Sequence, residues 1–263
     1  MSATYIVTLF FILLCTTVLF FVAQKKKDNS IIDIAYGLSF VLVAWILAIL
    51  KINLTTLPLH SAVLLLLITI WGSRLSYRIY QKNKEKPEDF RYKTWRETWM
   101  KKGKLYYFLR AYLQIFILQG IIISLVLLPF TLTIDNSFTR SSMLLFGVLV
   151  WIVGFCFEAV GDYQLDRFIT SKSEHKGTIM KTGLWKYTRH PNYFGESTMW
   201  FGIAFIALSS GASLYVLLSP LLITFLLLFV SGIPMIEKRW QGLPEWEVYK
   251  KKTSAFIPLP PKK

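Results

Sequence analysis

Seven apolar runs punctuate this chain, at residues 4–23, 31–50, 57–80, 105–132, 142–160, 197–209 and 214–232. Most approach the roughly 20 residues an α-helix needs to cross the hydrocarbon core of a bilayer. In hydrocarbon every backbone polar group must be satisfied within the segment, so runs of this length fold as helices. The run at 197–209 is short by itself; it reaches spanning length if residues 192–196 belong to the same helix. An apolar content of 54% and a mean hydropathy of +0.47 fit this reading. The sequence therefore predicts an all-α integral membrane protein of about seven transmembrane helices, in a single membrane domain. Residues 1–104 form the expected substrate-side helices and residues 105–263 the expected cofactor-binding part. The first run has no basic residue before it and Lys25, Lys26 and Lys27 just after it, which favours a retained helix over a cleaved signal.

A net charge of +15 raises the question of nucleic acid, and the placement of the charge answers it. With seven spans, 28 of the 30 basic residues fall in segments on one side, and only Lys51 and Arg140 fall on the other. The positive-inside rule then puts the N-terminus outside and the C-terminus in the cytoplasm, with membrane lipid as the partner of the surface cations. The two cysteines, Cys15 and Cys156, lie in apolar runs and read as buried thiols.

Polar side chains at membrane depth are costly, so they point to interiors or wet cavities. Asp33, Glu158, Asp162 and Glu196 sit at the cytoplasmic ends of expected spans. Glu158 and Asp162 are four apart and share a helix face. The densest polar cluster, residues 183–196, contains Arg189, His190, Pro191, Asn192 and Glu196 and leads into an apolar run. Proline suits the first turn of a helix, and Asn192 and Glu196 share a face there. A cationic helix start can hold phosphate or carboxylate. Carboxylates set against Arg167, Lys176, Arg189 and His190 make a site of both signs. Such a site suits a nucleotide, with cations on phosphates and carboxylates on ribose hydroxyls and amides. The segment from Glu88 to Trp99 repeats aromatics at helical intervals and reads as an interfacial helix, or as one carrying Arg91 or Arg96 to cofactor phosphates. His60, His175 and His190 form no pair at metal-ligand spacing. No Gly-x-Gly-x-x-Gly or Walker loop is present.

The motif Gly183-Leu184-Trp185-x-Tyr187-x-x-x-Pro191-Asn192-Tyr193-Phe194-Gly195-Glu196 resembles the C-terminal signature of the steroid 5-alpha-reductase family, with its uncharacterised bacterial branch nearest. Further matches are Asp33-x-x-Tyr36-Gly37, Trp71-Gly72-x-Arg74-Leu75, Glu88 to Tyr92, Asp162-Tyr163 and the tail from Tyr249 to Pro258. The resemblance implies a membrane reductase, in a bacterial inner membrane, that binds NADPH and reduces a C=C bond conjugated to a carbonyl in a hydrophobic, steroid- or isoprenoid-like substrate. It implies Glu158, Asp162, Asn192 and Glu196 on ribose and nicotinamide, with Tyr187 in the same signature. Arg189, His190, Lys176, Arg91 and Arg239 are expected on phosphates. Asp33 with Tyr36 or Tyr77 is expected to polarise the carbonyl where enolate charge develops. Two departures mark the chain: a carboxylate at Glu158 where the steroid enzymes have an amide, and Ile32-Asp33 where they have a Gln-Glu pair. The core Arg189-His190-Pro191-x-Tyr193-x-Gly195 is also similar to isoprenylcysteine carboxyl methyltransferases, which use S-adenosylmethionine. Their signature ends in consecutive glutamates, where this chain has Glu237-Lys238-Arg239-Trp240.

Overall fold

The computed structural model describes residues 3–51, 57–137, 139–171 and 179–262. Helices make up most of the described residues, which contain no strand and one isolated parallel bridge, between Thr188 and Ser254. Six of its helices are long and apolar enough to cross a membrane: Ala3–Lys26, Ile31–Leu50, Leu59–Asn83, Lys104–Val126, Ser141–Thr170 and Leu214–Glu237. The remaining expected span is a helix, Pro191–Leu208, and it does include residues 192–196. Its polar first turns, with Asn192 and Glu196, keep it out of the apolar six.

The chain forms two compact units. The first comprises Met1–Thr139 and Ser210–Val216. It contains α1 (Ala3–Lys26), α2 (Ile31–Lys51), α3 (Leu59–Asn83), α4 (Phe90–Met100), α5 (Lys104–Ala111), α6 (Leu118–Val126) and α7 (Leu128–Thr131). A π-helical turn, Tyr112–Ile117, joins α5 to α6. The run expected to continue to residue 132 ends at Val126, because Pro129 restarts the chain as the short α7. The buried residues of α1 are Thr4, Thr8, Ile12, Thr16, Phe20 and Ala23, a stripe of near-fourfold spacing, while Ile6, Phe10, Leu14 and Val18 face outward. Hydroxyls on the inner faces act as polar glue between helices: Thr4 donates to Asp135 (3.1 Å), and Thr17 pairs with Tyr112 (3.0 Å). Helices α2 and α3 touch backbone to backbone. A Cβ on Gly37 would lie 2.3 Å from the Gly72 carbonyl oxygen, and one on Gly72 would lie 2.5 Å from that of Gly37.

The second unit comprises Arg140–Ser209 and Leu217–Lys263. Its spine is α8 (Ser141–Thr170) packed against α9 (Pro191–Leu208). Gly147, Gly154 and Gly161 recur every seven residues on α8, as Gly195 and Gly202 do on α9. Cβ atoms at Gly154 and Gly195 would each come within 2.6 Å of the other's carbonyl oxygen, and one at Gly202 would come within 2.7 Å of that of Gly147. Small residues at this spacing let two helices approach until their backbones meet. The run expected at 142–160 continues to Thr170, since no proline or cap interrupts it. At about 1.5 Å per residue its 30 residues reach about 45 Å, well beyond a hydrocarbon core. The last apolar run is segmented into α10 (Leu218–Phe225), a π turn (Leu226–Val230) and α11 (Ile233–Glu237), and α12 (Pro244–Lys252) follows. The break is at Gly232, where a Cβ would sit 2.4 Å from the Leu227 carbonyl oxygen.

Candidate functional site

The Gly183–Trp185 stretch folds onto the last turns of α8. Gly183 takes a left-handed φ of +62°, and a Cβ there would strike the Gln164 carboxamide at 2.5 Å. Gln164 Oε1 accepts the Leu184 N–H at 2.9 Å, and Trp185 Nε1 donates to the Gly161 carbonyl at 3.1 Å. Glycine and tryptophan at these positions therefore dock the loop on α8. The next residues bind the C-terminal tail. Leu259 N–H donates to the Tyr187 carbonyl (3.0 Å), Arg189 N–H to the Ser254 carbonyl (2.8 Å) and Thr188 Oγ1 to the Phe256 carbonyl (2.9 Å). Tyr249 Oη donates to the Trp185 carbonyl at 2.5 Å. Burial holds that phenol protonated far above its ordinary range.

Three buried charged groups close this cradle. Glu237 Oε1 accepts from Arg189 Nε at 2.8 Å and faces His190 Nε2 at 3.0 Å. A carboxylate accepts, so the proton of a neutral His190 resides on Nε2. Arg189 Nη1 donates further to the carbonyls of Thr253 (2.5 Å) and Lys250 (3.1 Å). The imidazole stacks on Tyr193, with centroids 5.3 Å apart. Burial, and next the Arg189 guanidinium, push His190 below its ordinary value against the opposing pull of Glu237. Arg189 and His190 were expected on cofactor phosphates. They are instead committed to Glu237 and the tail, because a buried carboxylate and inward carbonyls are their nearest acceptors.

The first turns of α9, which carry Asn192 and Glu196, pack on the stretch of α8 that carries Glu158 and Asp162. A Cβ on Gly195 would lie 2.3 Å from the Glu158 backbone nitrogen, and one on Gly161 would lie 3.3 Å from that of Asn192. Glu158 and Asp162 are 3% and 4% exposed, deep burial for carboxylates. Asn192 Oδ1 is buried and accepts no hydrogen bond from the described residues. Glu196 follows one turn along α9, partly buried. Expected Tyr187 is 43% exposed and contributes its carbonyl to the tail, and Arg239 is exposed after α11. Lys176 lies outside the described residues.

In the first unit, Asp33 opens α2 and holds α4. Its Oδ1 accepts from Tyr92 Oη at 2.6 Å and its Oδ2 from Arg91 Nη2 at 2.8 Å. Arg91 also binds Asp89, which caps α4 by accepting the Arg91 N–H. Arg91, expected on a cofactor phosphate, is thus turned to the carboxylates of Asp33 and Asp89. The Asp89 and Asp33 carboxylates keep its guanidinium protonated despite burial, and burial with Asp33 raises the Tyr92 phenol well above its usual range. Arg96 pairs with Glu88 and reaches the Lys27 carbonyl. Tyr36 packs edge-on against Phe40 and Trp71. Tyr77 is 65% exposed, and its Oη accepts from Gln81, so it is not grouped with Asp33. Three residues escaped sequence reasoning: Tyr92, Gln164 and Glu237. Tyr92 and Glu237 each stood in a quoted motif, but no spacing rule links either to its partner.

Residues 19–253 match the family described as "Protein of unknown function (DUF1295)". The chain belongs to this family. The DUF1295 region covers both Asp33 and the whole Glu158–Glu237 constellation, and stops at the Thr253 carbonyl that receives Arg189. No curated protein and no solved structure matches the chain.

Proposed function

We propose that this DUF1295 protein is an integral membrane reductase that uses NADPH to reduce a C=C bond conjugated to a carbonyl in a hydrophobic substrate, with its N-terminus outside and its C-terminus in the cytoplasm. The observation that carries the reading is the buried Asn192 Oδ1, which has no hydrogen-bond partner among the described residues and lies where the start of α9 packs on the turn of α8 that contains the buried Glu158 and Asp162. The donor set fits the polar end of a nicotinamide nucleotide in two respects. The buried Asn192 Oδ1 accepts no bond from the described residues, and buried acceptors are rarely left so. A ribose hydroxyl or a carboxamide N–H is a donor of the kind it lacks. Glu158 and Asp162 are buried carboxylates on the α8 turn that packs against the start of α9, and carboxylates accept from hydroxyls.

NADPH, when bound, supplies the hydride. The chain's own groups bind and orient. Asn192, Asp162, Glu158 and Glu196 hold ribose and carboxamide, with the exposed Arg239 for phosphate. Arg189 and His190 brace the tail as a wall. On the substrate side, Asp33 Oδ1 holds the Tyr92 proton, and Tyr36, fixed by Phe40 and Trp71, is the group for the substrate carbonyl. The test is NADPH binding to the purified full-length protein in detergent. Micromolar binding is expected, with Asn192→Ala and Glu196→Gln abolishing it. Binding of S-adenosylmethionine with no response to NADPH overturns the reading in favour of a methyltransferase.

A further inference from the structure

Away from the acidic cluster, the second unit contains a cleft of about 570 Å³ between the loop before the 183–186 turn and α12. Lys181, Lys186 and Lys252 line it, with a single carboxylate, Glu245. Lys181 Nζ bonds Glu245 Oε1 at 2.5 Å, so that pair is neutral and Lys186 and Lys252 stand as the excess charge. Pro244, Val248 and Pro261 make apolar walls. Tyr249 offers the cleft its ring, since its hydroxyl is spent on the Trp185 carbonyl. Two ammonium groups above apolar walls suit an amphiphile with an anionic head.

We propose that this cleft binds the phosphate of one anionic phospholipid. Lys186 and Lys252 take the phosphate oxygens, and Val248 with the two prolines covers the glycerol and the start of the acyl chains. The location agrees: the chain leaves its last apolar helix at Glu237, only seven residues before Pro244, which is where headgroups lie. Leu243 and Ile257 nearby are exposed apolar residues that the same layer would cover. A free phosphate would use the cations but gain nothing from the walls. The site is independent of the reductase reading, because it shares no residue with the Glu158–Asn192 cluster.

The test is native mass spectrometry of the full-length protein in detergent, titrated with dioleoyl phosphatidylglycerol or dioleoyl phosphatidylcholine. One phosphatidylglycerol is expected to bind in preference to phosphatidylcholine. Each lysine near an anionic headgroup accounts for about fivefold, so Lys186→Ala with Lys252→Ala should weaken the phosphatidylglycerol about twenty-five-fold. Lys25→Ala with Lys26→Ala removes the same charge from the other unit and should leave the affinity unchanged. Either single cleft variant, expected to lose about fivefold, keeps the test open if the double variant fails to fold. Equal binding of the two lipids, or an equal loss in the control pair, overturns the proposal. So does lysine-dependent binding of inorganic phosphate or NADPH with no preference for phosphatidylglycerol.

Discussion

Glu237→Ala removes the one acceptor shared by Arg189 and His190, and the structure sets both the size and the place of the effect. The charge-assisted bond to Arg189 contributes about 1.5–3 kcal/mol, and stranding the buried His190 N–H costs about 1–3 kcal/mol. Arg189 keeps the Thr253 and Lys250 carbonyls, so its charge is not wholly abandoned. The expected loss is about 3–5 kcal/mol, the range for breaking one side of a buried ion pair. Glu237→Gln keeps one acceptor oxygen and should lose about half as much. The consequence is local before it is global, because Arg189 ties the tail to the cradle. The amides of Arg189 and Leu259, bonded to the Ser254 and Tyr187 carbonyls, are the reporters. A loss of 3 kcal/mol corresponds to more than a hundredfold faster hydrogen exchange at those amides, since about 1.4 kcal/mol is tenfold in an equilibrium. Exchange followed by mass spectrometry on peptides covering residues 185–190 and 253–260 reads this directly. Wild-type exchange in both peptides, with an unchanged melting temperature, would refute the reasoning. Replacing both partners, as Arg189→Met with Glu237→Met, should recover only the part due to the stranded charge, because the His190 N–H still has no acceptor.

Gly195→Ala sets a Cβ 2.3 Å from the Glu158 nitrogen and forces α8 and α9 apart; a loss of about 1–3 kcal/mol or more is expected in detergent unfolding, together with NADPH binding. His190 supplies a pH dependence. Its folded value is depressed, so the unfolded state takes up its proton first as pH falls. Stability is full above the ordinary value near 6.5 and declines below it, and melting temperatures between about pH 5 and pH 8 should show this. His190→Gln should flatten that part of the profile. Tyr92→Phe deletes the hydroxyl bonded to Asp33 at 2.6 Å; about 1.5–3 kcal/mol should be lost, with faster exchange in residues 90–100.

Local sequence carried the helices. Length and apolar content predict about seven membrane-length helices, and six of the described helices are long and apolar enough to cross a membrane, because a helix in hydrocarbon satisfies its own backbone and needs no partner to be recognised. Proline before Asn192 predicts that α9 begins at Pro191, and the aromatics at helical intervals from Glu88 to Trp99 predict α4. The heptad of glycines on α8 and α9 was equally visible as text, yet only the structure shows that Gly154 meets Gly195, since which faces meet depends on how two helices are rotated. The same limit governed the charges. Arg189 and His190 looked like an anion site because a free helix start is one, and the tail that occupies them begins more than sixty residues later in the chain. Arg91 looked mobile and cationic until Asp33 was placed beside it. The sequence by itself determined that this chain is a set of membrane-length helices carrying costly acidic groups at their ends. Only the folded chain shows which cation answers which carboxylate, and that the buried Asn192 Oδ1 has no donor among the described residues. Spans are written in consecutive residues, whereas ion pairs form between residues distant in sequence that burial brings within 3 Å.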